Sequence, residues 1–154
     1  MQDGLPKTVC TAAGQVLDRL VRGLEPGEGR TLREPSGVHM PLRVRRVGDS
    51  ALGSLFSVGH YHESTVGTAL LLVDDPQVTV LRTESGDWVP VSLRTPFAHV
   101  VTAEATDSVR LLRTDEHARL VKLVEVWMRN IRTNLLDADG LEEEIGDARA
   151  YAAE

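Results

Sequence analysis

One cysteine, Cys10, stands in the 154-residue sequence, so neither an intrachain disulfide nor a multi-cysteine zinc site is available. That usage fits a reducing compartment, and the cytoplasm is the expected location. Aromatic residues are also scarce. With two each of Trp, Tyr and Phe, the chain has too few rings to build a stacking platform for single-stranded nucleic acid. Basic residues do not predominate: seventeen Lys and Arg against twenty-three Asp and Glu give a formal charge of -6. Such a field repels polyanions unless basic groups are concentrated locally. The longest apolar run, ALLLV at 69–73, falls far short of the ~20 residues that span a bilayer. MQDGLPKT at the start lacks the basic stretch and apolar core of a signal peptide, so no membrane association is expected. No nucleophile elbow, P-loop or dinucleotide fingerprint occurs, and a non-enzymatic role is expected.

What the sequence does hold is ordinary globular composition, 42% hydrophobic and 26% charged, and it reads as a single domain over 1–154. From Thr8 to Leu24, the residues Val9, Ala13, Val16, Leu17, Leu20 and Leu24 recur at helical spacing behind a threonine cap. EPGEG stops this leader helix, and the stretch to Gly37 reads as an irregular surface connection. VHMPLRVRRV then alternates as a half-buried strand, with Pro41 favouring a sheet edge. SLFSVGHYHE, TALLLV, QVTVLRT and WVPVSLR follow as strands, and FAHVVTA adds one more; the breaks are STVG, DDP and ESGD. After Thr114 the period becomes helical. Leu120, Val124, Trp127, Met128, Ile131 and Leu135 form one face, with Trp127 at its middle, while Val121, Leu123 and Val126 widen it. DADG breaks that helix, and LEEEIGDARAYAAE offers Leu141, Ile145 and Ala148 as the face of a short acidic terminal helix.

The fold class expected is therefore α+β: a leader helix, an antiparallel meander sheet of five or six strands, a long C-terminal helix and a short terminal helix. A stripe as wide as that of the long helix needs two surfaces to cover it. Self-association, most simply as a dimer, is expected.

Three groups of residues are site candidates. His60 and His62 share one strand face, and His99 on another strand offers a third imidazole, which together make a skeleton for a divalent metal. Glu63 points away from His62 because strand side chains alternate. Packing is the alternative for these histidines, since Phe56 and Val58 share their face. Arg43, Arg45 and Arg46 form a basic group able to contact phosphate, although such a stripe is more often a solvated face, and nucleic acid is disfavoured. DADG is better explained as a helix-ending turn than as a calcium loop, because aligning Gly140 to the loop glycine puts Leu135 and Gly146 at ligand positions.

Two resemblances add to this reading. The HxH pair followed by SGDWVPVSLRTPFAHVV is similar to the two motifs of cupins, and implies as an alternative a small β-barrel holding a divalent metal. The carboxylate of that pattern falls at Val66 or Gly67, and its later histidine at Phe97. Over nearly the whole chain, MPLRV at 40–44, SVGHYHE at 57–63, DPQVTV at 75–80, VPVS at 89–92 and WMRNI at 127–131 resemble, in order, the motifs of an uncharacterised bacterial family often encoded on plasmids and other mobile elements. That resemblance carries over His60, Tyr61 and Glu63 as ligand-binding candidates, but not His62. It implies a fold-level neighbour and a mobile-element context but no reaction; the leading expectation for function is a non-enzymatic cytoplasmic binding or accessory protein of mobile-element type, with no cofactor and an unidentified protein partner. A metal-binding cupin-like protein and a nucleic-acid accessory factor are the other readings.

Overall fold

The computed structural model describes residues 6–67, 69–105 and 108–147, excluding the side chains of 62–66, 69–75 and 147. It is an α+β fold built on one antiparallel sheet. The chain runs α1 (Thr11–Val21), β1 (Glu28–Arg33), β2 (Leu42–Ser50), β3 (Gly53–Val66), β4 (Ala69–Thr83), β5 (Trp88–Thr95) and β6 (Ala98–Val101). A hairpin of β7 (Ala103–Ala105) and β8 (Val109–Leu111) precedes α2 (Thr114–Ile131), a π-helical turn (Arg132–Leu136) and β9 (Glu142–Asp147). The sheet order is β6-β5-β4-β3-β2-β1-β9. The meander is as expected, but with seven strands the sheet is larger. It is open, with edges at β6 and β9, and is not the cupin-like barrel.

Both helices pack on one face of this sheet. Ala13, Val16, Leu17 and Leu20 of α1 and Leu120, Val124, Met128 and Ile131 of α2 meet Leu32, Leu42, Val44, Phe56, Val58, Val78, Val80 and Trp88 in one core. On the opposite face, Leu81, Val89 and Val91 form a second small cluster with Ala105 and Val109 of the β7–β8 hairpin. Met128 and Val124 occupy the centre of the α2 face. Trp127 lies at its margin, half-buried rather than central. Val121 is buried, whereas Leu123 and Val126 remain 39% and 41% exposed.

Five expectations are corrected. The irregular connection before Gly37 contains β1, which reads poorly because EGRTLR has a single apolar residue, Leu32. Its other inward residue is an arginine with a structural task. Arg30 is buried and donates to the carbonyls of Arg19 (3.2 Å), Leu20 (2.5 Å) and Arg22 (2.6 Å), the orphan acceptors at the C-terminal end of α1. Second, residues 142–147 form the strand β9 and not a helix: the ladder on β1 pairs Arg30 with Ile145 and Thr31 with Glu144. Backbone pairing outweighs the helix preference of three glutamates, while Ala148 lies outside the described residues. Third, TALLLV and QVTVLRT are one strand, β4, and DDP is a bulge within it: Gly59 pairs with Gln77 but Tyr61 with Asp74. Pro76 sits in this irregularity, where no ladder donor is required. Gly59 faces it closely, since a Cβ there would lie 2.9 Å from the Pro76 carbonyl oxygen. Fourth, β2 is an inner strand, and Pro41 precedes it without lying on an edge. The leader helix is also shorter than expected. Its cap is Cys10, not Thr8, and the Cys10 N–H donates to a Glu125 carboxylate oxygen at 2.8 Å.

Candidate functional site

His60 lies opposite Leu42 in the β2–β3 ladder and therefore faces the helices. Its ring is 5.5 Å from that of Trp127, tilted by 55°. Nδ1 is 3.3 Å from the Pro41 carbonyl oxygen. Donation to that carbonyl places the proton on Nδ1 and leaves the lone pair on Nε2. Burial pushes the imidazole pKa below its ordinary value, against the raising effect of the Pro41 and Met40 carbonyls, with His39 lowering it further. His60 is thus a neutral ring near pH 7.

Beside it opens a cleft of about 310 Å³ lined by Val38, Met40, Ile131, Leu135 and the polar groups of His39, His60, Asn130 and Asn134. The π turn places Asn134 and Leu135 in this wall. Such turns often accompany functional sites. Residues from MPLRV, SVGHYHE and WMRNI, distant in sequence, meet here: Met40, His60 and Asn130 line the cleft, and Trp127 packs on His60.

The other candidates lie elsewhere. Tyr61 faces away from the helices, where its hydroxyl accepts from Arg33 Nη2 at 2.9 Å and its ring lies 5.5 Å from the Arg43 guanidinium carbon. His60 and Tyr61 are therefore on opposite faces. The side chains of His62 and Glu63 lie outside the described residues. His99 is on β6, paired with Arg94, three strand spacings or about 14 Å from β3. The structure does not bring it to His60. Among the described residues no group of three or more His, Cys, Asp or Glu is placed to hold a metal ion.

Arg43 and Arg45 share the face opposite the helices, but Arg43 is only 4% exposed, leaving little of it for a phosphate. Arg45 donates to Ser57 Oγ at 3.4 Å. Arg46 is on the helix side, held by the Leu24 carbonyl and by Asp49. The three do not form one surface.

Sequence reasoning passed over His117, a buried residue of the first turn of α2. The Lys7 backbone N–H donates to Nε2 at 2.9 Å, so Nδ1 carries the proton toward Thr102 Oγ1 at 3.2 Å. The Thr102 hydroxyl in turn donates to the Val91 carbonyl at 3.2 Å. Its spacing from Leu120, Val121 and Val124 was the available signal that it belongs to the buried face.

Burial, with the Lys7 charge adding to it, lowers the His117 pKa. A histidine lowered in the folded state contributes stability that is complete above the unfolded value of about 6.5 and is lost as pH falls from there toward the folded pKa. Urea unfolding from pH 7.5 to 5 is expected to show this loss, and His117→Gln to flatten it, leaving the share due to His60, which has the same sign. An unchanged slope in His117→Gln would assign the acid sensitivity elsewhere.

Compared with known proteins, the chain matches no family model, no curated protein and no solved structure.

Proposed function

We propose that this chain is a non-enzymatic binding protein whose cleft beside His60 takes a small, uncharged ligand with a flat heteroaromatic or amide-bearing body. The observation that carries this reading is a neutral, half-buried imidazole, backed by Trp127, at a cleft whose other polar side chains are the Asn130 and Asn134 amides and His39. Among the described residues its lining contains no carboxylate, lysine or arginine to balance a charged ligand. Nor, among the described residues, does it contain a serine, threonine or cysteine for His60 to activate, which favours binding over turnover. About 310 Å³ is at the small end of ligand sites.

The motif order noted above supports a cytoplasmic accessory role of the mobile-element kind. Self-association belongs to the same proposal, with Leu123 and Val126 as the exposed apolar residues on α2. No described helix is long and apolar enough to cross a membrane.

Nicotinamide serves as an uncharged probe and nicotinate as its charged counterpart. A ligand of about nine heavy atoms at a modest efficiency binds at roughly millimolar affinity. Nicotinamide is expected to perturb the Trp127 indole and Asn134 amide resonances saturably, more tightly than nicotinate, and His60→Ala is expected to abolish the effect. No saturable change, or one that persists in His60→Ala, would remove the proposal.

A further inference from the structure

A second and larger cleft, about 590 Å³, opens where α1 ends above the sheet, lined by residues that include Asp18, Arg22, Arg46, Ser54, Arg82 and Glu84. We propose that it is an oxyanion site, receiving a phosphate or carboxylate group between Arg22 and Arg82.

The cleft exists because α1 stops at Val21 and Gly23, at φ +78°, turns the chain aside. This leaves the β3–β4 rows Gly53/Thr83 and Ser54/Arg82 along its wall. Phe56, Val21 and Leu24 supply apolar lining.

Several of the charges at the cleft are already engaged. Arg46 donates to the Leu24 carbonyl, to Asp49 and to Ser54 Oγ. Asp49 is correspondingly held below the usual carboxylate range, first by Ser54 and then by Arg46. Asp18 accepts both Arg82 Nε at 3.0 Å and Trp88 Nε1 at 2.9 Å through one oxygen.

Arg82 therefore uses only Nε, and its two terminal nitrogens have no hydrogen-bond partner among the described residues. The side chain of Arg22, exposed at the end of α1, has none either. Arg22 and Arg82, with the engaged Arg46, line a cleft whose acids among the described residues are Asp18 and Glu84. Guanidinium forks match oxyanions bidentately. Because Trp88, fully buried, anchors Asp18, and Asp18 holds Arg82 at Nε, the free edge of Arg82 is oriented before any ligand arrives.

The test is titration of the full chain at low ionic strength with inorganic phosphate and, separately, acetate, against sodium chloride at matched ionic strength. Binding is read by calorimetry and by the arginine Nε–H and Ser54 amide resonances. Saturable binding of phosphate or acetate is expected, the tighter of the two naming the ligand group. Arg82→Gln should weaken it about tenfold or more, the scale of one charge-assisted contact. Arg22→Ser, which leaves Asp18 and Trp88 untouched, should weaken it several-fold even if Arg82→Gln proves unstable. His60→Ala should leave it unchanged, separating this site from the other cleft. Shifts reproduced by chloride, or anion binding that survives Arg22→Ser undiminished, would overturn the assignment.

Discussion

Trp88→Ala is expected to destabilise the fold by about 3–5 kcal/mol, against about 1–2 kcal/mol for Trp127→Ala. Trp88 is 1% exposed and its ring is 5.4 Å from Phe56. Its loss removes a buried aromatic pair and leaves a cavity under α1, where Gly14 lies close enough that a Cβ would be 3.6 Å from the Trp88 ring. It also removes a hydrogen bond to Asp18. Trp127, half-buried at the margin of α2 against His60, has less surface to lose. Urea unfolding of the two variants gives the comparison directly. Equal losses would mean that Trp127 holds the core, as its place in the helical stripe suggested.

That difference illustrates what the sequence made legible. Helical periodicity selected the right face of α2, but a face is an arc. Whether Trp127 or Met128 sits at its centre depends on the angle at which the helix crosses the sheet. Strands β3 and β5 were readable because SLFSV and WVPVS place inward apolar residues against core. β1 and β9 were not, because the inward positions of EGRTLR and EEEIGD include Arg30 and an Ile145 that remains 51% exposed. Their strand character comes from the ladder they share.

The candidate site divides the same way. SVGHYHE drew notice to His60, and alternation alone separates His60 from Tyr61 onto opposite faces. Its cleft was not readable, since Asn134 enters through a π turn and Met40 through the segment before β2, both tertiary consequences.

Arg30→Met is expected to cost about 2–4 kcal/mol, because the substitution keeps an apolar stem of similar length while removing every donor. The guanidinium closes a helix end that leaves helical geometry at Arg22, one residue before the left-handed Gly23. Arg22 at the cap position has φ -55° and ψ 127°, and one turn bond, from Leu24 N–H to the Val21 carbonyl at 3.1 Å, lies nearby. Without Arg30, the Leu20 carbonyl is left buried without this donor, and the favourable meeting of a positive charge with the negative end of α1 is lost. Arg30→Lys retains the charge but not the fork that reaches three carbonyls, so its loss should be intermediate. Because the contact is buried, added salt should restore neither variant. Hydrogen exchange should quicken first in the amides of the last turn of α1, and the core contacts of Leu17 and Leu20 should weaken with them. A buried ion can be replaced by an apolar side chain at no cost when the surrounding groups find other partners. Unfolding within about 0.5 kcal/mol of wild type, with unaltered exchange in α1, would show that they do here and that the helix end does not depend on the guanidinium.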